Sequence, residues 1–127
     1  MSPTRYEAGL AKLTEIDGQA GQNVIDSLAD IAPDLGRYII EFAFGDIYRR
    51  GTLDLQQREL ITISALSAMG GCQPQLEVHV NGALNVGCSA KEIVETMIHI
   101  ALYAGFPAAL NAITVAKKVF AERDIQV

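Results

Sequence analysis

The sequence predicts an all-α fold, and three observations support this. No stretch of the 127 residues alternates apolar and polar side chains for long enough to form a β-strand. Apolar residues recur instead at helical spacing, and prolines, glycines and capping residues divide this pattern into six or seven helices. The connections are short and the chain has no internal repeat or linker, so we expect one compact domain over residues 1–127.

Three helices are expected in the first half of the chain. Two amphipathic segments come first and are separated by Gly18 and Gly21. Pro33 suits the first turn of a third helix, because the first turn leaves its backbone N–H groups without helical partners. We expect this third helix to end near Gly51, which follows two basic side chains and suits a helix C-terminus.

Four more helices follow, each with a start signal. Asp54 and Gln57 form a potential capping box before the segment LQQRELITISALSAM, which stops at two glycines. After its first turn this segment is apolar nearly all round, so we expect it to be the central buried helix. The later helices begin at signals of the same kind: Pro74, the capping box of Ser89 and Glu92, and Pro107.

Charge and hydropathy exclude two classes of partner. A net charge of −5 leaves no basic stripe to replace phosphate counterions, so we expect no nucleic acid. The most apolar run, 60–69, is far shorter than the roughly 18 residues of a membrane span. The first residues have no signal-peptide core, so we expect a cytoplasmic protein without membrane contact. A mean hydropathy of +0.20 is high for a small acidic domain, which favours self-association.

Glu59 and His79 are the first candidates for acid–base chemistry. Glu59 falls in the second turn of the most apolar helix, where a carboxylate is either lifted out to solvent or buried with a partner. A buried carboxylate suits acid–base work, whereas a salt bridge or simple exposure is the structural alternative. His79 has Leu76 and Val80 around it, so a hydrogen-bonded packing role is equally open.

The two cysteines are expected to be free thiols. Cys72 precedes a helix, and a helix N-terminus favours the reactive thiolate, but no nearby cysteine can resolve an oxidised sulfur. Cys88 lies sixteen residues further on, and for both cysteines an inert thiol is the alternative. Two Cys and two His without a close-spaced ligand pair predict no metal site.

Three other side chains are candidates for lining a site. His99 follows acidic residues on its helix and Tyr103 lies one turn further on. The segment YAGFPAALNA ends one helix and begins another, and its free N–H groups suit an anion or enolate oxygen. Asn111 adds an amide on the second turn of that helix, although a tight helix–helix turn explains the segment as well.

The order of three segments, RELITISALSAMGG, LEVHVNGALNVG and SAKEIVETMIHIALYAGFPAALNA, resembles the carboxymuconolactone decarboxylase family. The resemblance covers residues from about 5 to 123. It implies an all-α, alkylhydroperoxidase D-like fold whose subunits associate as trimers or hexamers.

One branch of the family carries Glu…Cys-x-x-Cys-x-x-x-His and reduces peroxides. Glu59, Cys72 and His79 correspond to that pattern with one extra residue between the first two, but Gln75 replaces the second Cys. A disulfide-cycling peroxidase is therefore not expected, and a single-thiol antioxidant using Cys72 is a second hypothesis.

The other branch decarboxylates 4-carboxymuconolactone to the enol-lactone of 3-oxoadipate in aromatic catabolism, without a cofactor. The resemblance implies that His79 delivers a proton to carbon, that Glu59 orients it, and that His99 and the YAGFPAA turn contribute to an anion pocket. Decarboxylases of this branch carry an Arg where this chain has Asn81. The arginines at positions 5, 49, 50 and 58 are candidates to replace that cation. We expect a small carboxylated substrate and no cofactor, and a third hypothesis is a non-catalytic oligomeric binding module.

Overall fold

The computed structural model describes residues 2–127 and is helical throughout. In this part of the chain there are seven helical elements and no strand, so the all-α prediction is confirmed. None of the described helices combines the length and the hydropathy needed to cross a membrane. The chain divides into two units, an N-terminal unit that ends at Asp54 and a C-terminal unit, Leu55–Val127.

The N-terminal unit contains three helical elements: α1 (Arg5–Leu28), α2 (Pro33–Tyr38) and a π-helix (Ile39–Ile47). The two predicted amphipathic segments form one element, α1, with a break at Gly18, where φ is 56° and ψ is −138°. Only glycine adopts such a backbone conformation readily, which explains why the helix changes direction there. Pro33 opens α2 as predicted.

The π-helix corrects the prediction of one regular helix as far as Gly51. The helical pattern ends at Ile47, and hydrogen bonding changes to the wider π type from Ile39 onward. This π-helix packs against α1 through two glycines. A Cβ atom on Gly9 would collide with the Ile40 carbonyl oxygen, and one on Gly45 would lie 3.1 Å from the Arg5 carbonyl oxygen. The two backbones can approach this closely because neither glycine carries a side chain.

The C-terminal unit contains four helices: α3 (Leu55–Met69), α4 (Gln73–Asn85), α5 (Ala90–Ala104) and α6 (Phe106–Glu122). Pro74 and Pro107 lie in the first turns of α4 and α6, as predicted. The capping box at α5 is also confirmed. The Ser89 N–H donates to Glu92 Oε1 at 2.8 Å, and the Glu92 N–H donates to Ser89 Oγ at 3.0 Å.

The core of the C-terminal unit is formed by aliphatic side chains from all four helices, with Ile63, Val80, Ile93 and Val119 fully buried. Helix α3, predicted to be the central buried helix, packs against α4, α5 and α6 but is not covered on every side. Only one face of α3 is buried, whereas Ile61 and Met69 are 54% and 72% exposed. Apolar composition around a helix shows what the helix tolerates on each face, but the neighbouring helices decide which faces are covered.

Candidate functional site

Glu59 of α3 and His79 of α4 form a directly bonded pair. Glu59 Oε2 lies 2.9 Å from His79 Nδ1. The Glu59 side chain is entirely buried, and the His79 side chain is 17% exposed. A buried carboxylate therefore contacts an imidazole that retains access to the exterior.

The helical repeat explains why these two side chains meet. Glu59, Ile63 and Ser67 are spaced by four residues and form the buried face of α3. On α4, Leu76 and Val80 are buried. His79 is only partly covered, so it lies at the edge of the buried face of α4. Packing of α3 against α4 then brings a carboxylate inside the core to an imidazole at its border.

The pair leaves one polar atom unsatisfied. Glu59 Oε1 is buried and has no hydrogen-bond partner in the described chain. Leaving such an atom without a partner costs about 1–3 kcal/mol, and more when the group is charged. An unsatisfied oxygen on a buried acidic residue requires an explanation, and a functional role for Glu59 is one such explanation.

The hydrogen bond determines how the imidazole can act. A carboxylate oxygen accepts, so neutral His79 donates its Nδ1–H to Glu59 in this arrangement and carries its basic lone pair on Nε2. When Nε2 is protonated, the adjacent carboxylate stabilises the imidazolium. The arrangement is suited to general acid–base catalysis through Nε2.

Cys72 and Asn111 come together at a second place in the same unit. They line a small crevice with Ser67, whose hydroxyl is buried and has no hydrogen-bond partner in the described chain. The crevice volume of about 10 Å³ is enough for about one water molecule. Neither cysteine forms a disulfide, as predicted, and Cys88 is buried with its Sγ 3.6 Å from the Gln56 carbonyl oxygen.

His99 and Tyr103 lie at a third place, on α5. Their ring centroids are 5.7 Å apart, and both side chains are exposed. His99 also lines an open cavity of about 440 Å³ together with Glu92 and Glu95. The structure therefore brings the predicted site residues together in separate groups rather than around a single cavity.

Asn81 contacts a cation that the sequence analysis missed. Arg123 Nη1 donates to Asn81 Oδ1 at 3.0 Å and to Asn85 Oδ1 at 3.1 Å. Asn81 and Asn85 lie one turn apart near the C-terminal end of α4, where their amide oxygens can accept from a basic side chain. This spacing was the sequence signal from which a basic partner could have been predicted. Asn81 lies two positions after His79, about 200° around α4, so Arg123 binds the face of α4 opposite His79.

Of the arginines named as replacements for the missing cation, Arg5 is paired within the N-terminal unit. Its Nη2 lies 2.7 Å from Asp46 Oδ2. The hydrogen bond from Arg5 lowers the pKa of Asp46 below its ordinary value, and the same bond raises the pKa of Arg5. Arg49 donates to the Gly45 carbonyl oxygen at 3.3 Å, in the same unit.

The chain is thus a small all-α protein in which a buried carboxylate on one helix is bonded to an imidazole on the next. The sequence profile of the carboxymuconolactone decarboxylase family matches residues 33–118. The chain belongs to this family.

Three relatives illustrate the range of proteins that the chain is similar to. It is 34% identical over 122 residues to the 4-carboxymuconolactone decarboxylase of Acinetobacter baylyi, covering 95% of this chain and 90% of that protein. It is 35% identical over 80 residues to the nitrosuccinic acid decarboxylase of Metarhizium robertsii, covering 63% of this chain and 55% of that protein. An uncharacterized 15.0 kDa protein of Paracoccus denitrificans is 33% identical over 99 residues, with coverages of 77% and 74%.

Proposed function

We propose that this protein is a cofactor-independent decarboxylase of a small carboxylated lactone such as 4-carboxymuconolactone, with His79 as proton donor. The observation that carries the proposal is the 2.9 Å hydrogen bond between the buried Glu59 carboxylate and His79 Nδ1. An imidazole held in this way has a fixed orientation, and its second nitrogen, Nε2, is the atom through which a proton can be transferred.

The reaction requires one bond cleavage and one proton. The C–C bond to the carboxylate breaks, CO2 leaves, and the bonding electrons move through the conjugated C=C bond into the lactone carbonyl to form a dienolate. Protonated His79 then delivers the Nε2 proton to carbon, and the proton is replaced from water through the exposed part of the side chain. Glu59 stabilises the imidazolium before transfer and is a positioning residue.

Two relatives support a decarboxylation reaction, but their names give different substrates. One is named as a decarboxylase of 4-carboxymuconolactone and the other as a decarboxylase of nitrosuccinic acid. The first alignment extends over nearly all of both chains and the second over little more than half of its relative. The lactone is therefore the first substrate to test, and a role in aromatic catabolism follows from it.

The direct test is to mix the purified protein with 4-carboxymuconolactone and to measure CO2 release together with loss of the substrate. We expect catalytic turnover without added metal or organic cofactor. Nitrosuccinate serves as the comparison substrate. Release of CO2 from neither acid at any pH between 5 and 9 would contradict the proposal.

Cys72→Ser separates this proposal from the single-thiol antioxidant hypothesis. Cys72 lines the crevice with Ser67 and Asn111, and neither Glu59 nor His79 is among the described residues that line it. We expect the variant to release CO2 at the wild-type rate. Loss of CO2 release together with loss of peroxide consumption would instead make the thiol part of the machinery.

We also propose that the subunits self-associate through the apolar corner, defined as Ile98, Leu102, Tyr103, Phe106 and Leu110. These side chains belong to the end of α5 and the start of α6, and each is at least 54% exposed. Such a concentration of exposed apolar groups is typical of an interface rather than of a monomer surface. Sedimentation velocity should show a trimer or larger assembly for the wild type and a smaller species for Leu102→Asp.

A further inference from the structure

An apolar groove on the C-terminal unit lies apart from the Glu59–His79 pair. It has a volume of about 460 Å³ and is formed by α5, α6 and the segment that follows α6. Its wall includes Val94, Ile113, Ala116, Phe120 and Ile125. This volume is within the range of small-molecule sites, which is roughly 300–1,000 Å³.

The last wall of the groove is fixed by the way α6 ends. Asp124 has a φ of 57°, a left-handed conformation that side chains other than glycine adopt rarely. The chain therefore turns back, and the Ile125 N–H donates to the Phe120 carbonyl oxygen at 2.8 Å. Ile125 packs against the hydrophobic core as a result, so the groove has a defined shape before any ligand binds.

One cation stands at this otherwise apolar surface. Lys117 carries the single charged side chain among the described residues that line the groove. It forms no ion pair with any group in residues 2–127, whereas its neighbour Lys118 lies 3.0 Å from a Glu77 carboxylate oxygen. The Glu77 carboxylate compensates the charge of Lys118, and its hydrogen bond raises the pKa of Lys118.

We propose that this groove binds a small apolar monocarboxylate, with the hydrocarbon against the α5–α6 wall and the carboxylate at Lys117. The apolar lining recognises the chain or ring by burial, and the uncompensated ammonium selects an anion over a neutral or cationic analogue. The groove shares no residue with the Glu59–His79 pair, so the site is additional to the proposed lyase function.

The charge requirement is tested by isothermal titration calorimetry with octanoate, octan-1-ol and octylamine. We expect one octanoate to bind per chain and the amine to bind more weakly than the alcohol. Lys117→Met keeps the length of the side chain and removes its charge, so it should weaken octanoate about fivefold and leave octan-1-ol unchanged. Lys118→Met is the matched control and should leave octanoate affinity unchanged.

The apolar requirement is tested by filling the groove with Ala121→Trp. Ala121 lines the groove and is exposed, so a larger side chain can occupy the space without entering the core. Binding of octanoate and of octan-1-ol should both fall at least tenfold, with an unchanged melting temperature. Equal octanoate affinity in wild type, Lys117→Met and Ala121→Trp would overturn the proposal. A change of sedimentation coefficient in Ala121→Trp, without saturable octanoate binding to the wild type, would also overturn it and identify the groove as an interface between copies.

Discussion

The two histidines of this chain have similar sequence surroundings and different structural ones. His79 has its carboxylate partner on another helix, twenty residues away, where Glu59 is fully buried. His99 has Glu95 one turn earlier on its own helix, and both side chains are exposed. In the described chain His99 contacts the Tyr103 ring and forms no ion pair with Glu95.

This difference teaches that closeness in sequence does not identify an acid–base pair. An exposed carboxylate one turn from a histidine is solvated by water and acts weakly on it. A carboxylate inside the core acts on its partner through a medium of lower dielectric, and only one of its two oxygens is satisfied. The same two residue types therefore lie one turn apart without pairing on the surface of α5, whereas between α3 and α4 they form a directly bonded candidate catalytic pair.

The strongest test of this comparison replaces each histidine by glutamine. His79→Gln removes the proposed proton donor, so we expect kcat for CO2 release to fall by about 10³-fold. His99→Gln removes an exposed ring and should retain at least half of the wild-type kcat. Circular dichroism establishes that both variants are folded. Equal losses in the two variants would remove the functional distinction between the two sites.

A second test replaces the two carboxylates. Glu59→Gln retains an oxygen that can accept from His79 Nδ1 but loses the negative charge that stabilises the imidazolium. We expect kcat to fall by about 10²-fold with a smaller change in KM, and the pH profile of kcat to shift. Glu95→Gln should change neither quantity. A Glu59→Gln variant with the wild-type pH profile would show that the carboxylate has only a structural role.

A third test compares the packing of the isoleucine near Glu59 with that of the isoleucine next to His99. Ile63 is fully buried one turn after Glu59, and Ile98, next to His99, is 54% exposed. Ile63→Val should lower the free energy of unfolding by about 1 kcal/mol, because it removes a buried methyl group and leaves a small void. Ile98→Val should change it by no more than about 0.3 kcal/mol. Urea unfolding of both variants measures the two values, and a larger loss for Ile98→Val would contradict the burial described here.

Local signals in the sequence were sufficient to predict the fold class and most helix starts. Pro33, Pro74 and Pro107 open helices, and the Ser89 capping box forms, because each depends on residues within one turn of itself. The break in α1 at Gly18 was predicted for the same reason. The π-helix was not predicted, since the close glycine contacts between it and α1 involve residues more than thirty positions apart.

The candidate site was predictable only as a set of residue types. Glu59 and His79 were selected by sequence, and the resemblance to a family gave them roles that stay predictions. The pairing itself depends on how α3 packs on α4. The contact of Arg123 with Asn81 depends on α4 and the end of α6, forty-two residues apart. No local sequence pattern predicts the distance between residues on different helices, so neither contact could be inferred. The exposed face of α3 was missed because its exposure also depends on how the other helices pack.

The smallest expected effect is on thermal stability, and it concerns the exposed ion pair of Arg5 and Asp46. This pair provides a contrast with the partly buried Glu59–His79 pair. The hydrogen bond from Arg5 lowers the pKa of Asp46, so the pair stabilises the fold above the ordinary carboxyl pKa and loses this contribution as pH falls through the lowered value. Asp46→Asn should therefore lower the melting temperature by about 1–2 °C at pH 7, where both side chains are charged but open to solvent. The difference between wild type and Asp46→Asn should shrink as pH falls through the lowered pKa of Asp46. A melting-temperature difference that stays constant as pH falls would mean that the negative charge of Asp46 is not the source of the effect. The exposed pair would then contribute through the geometry of its hydrogen bonds and not through its charge.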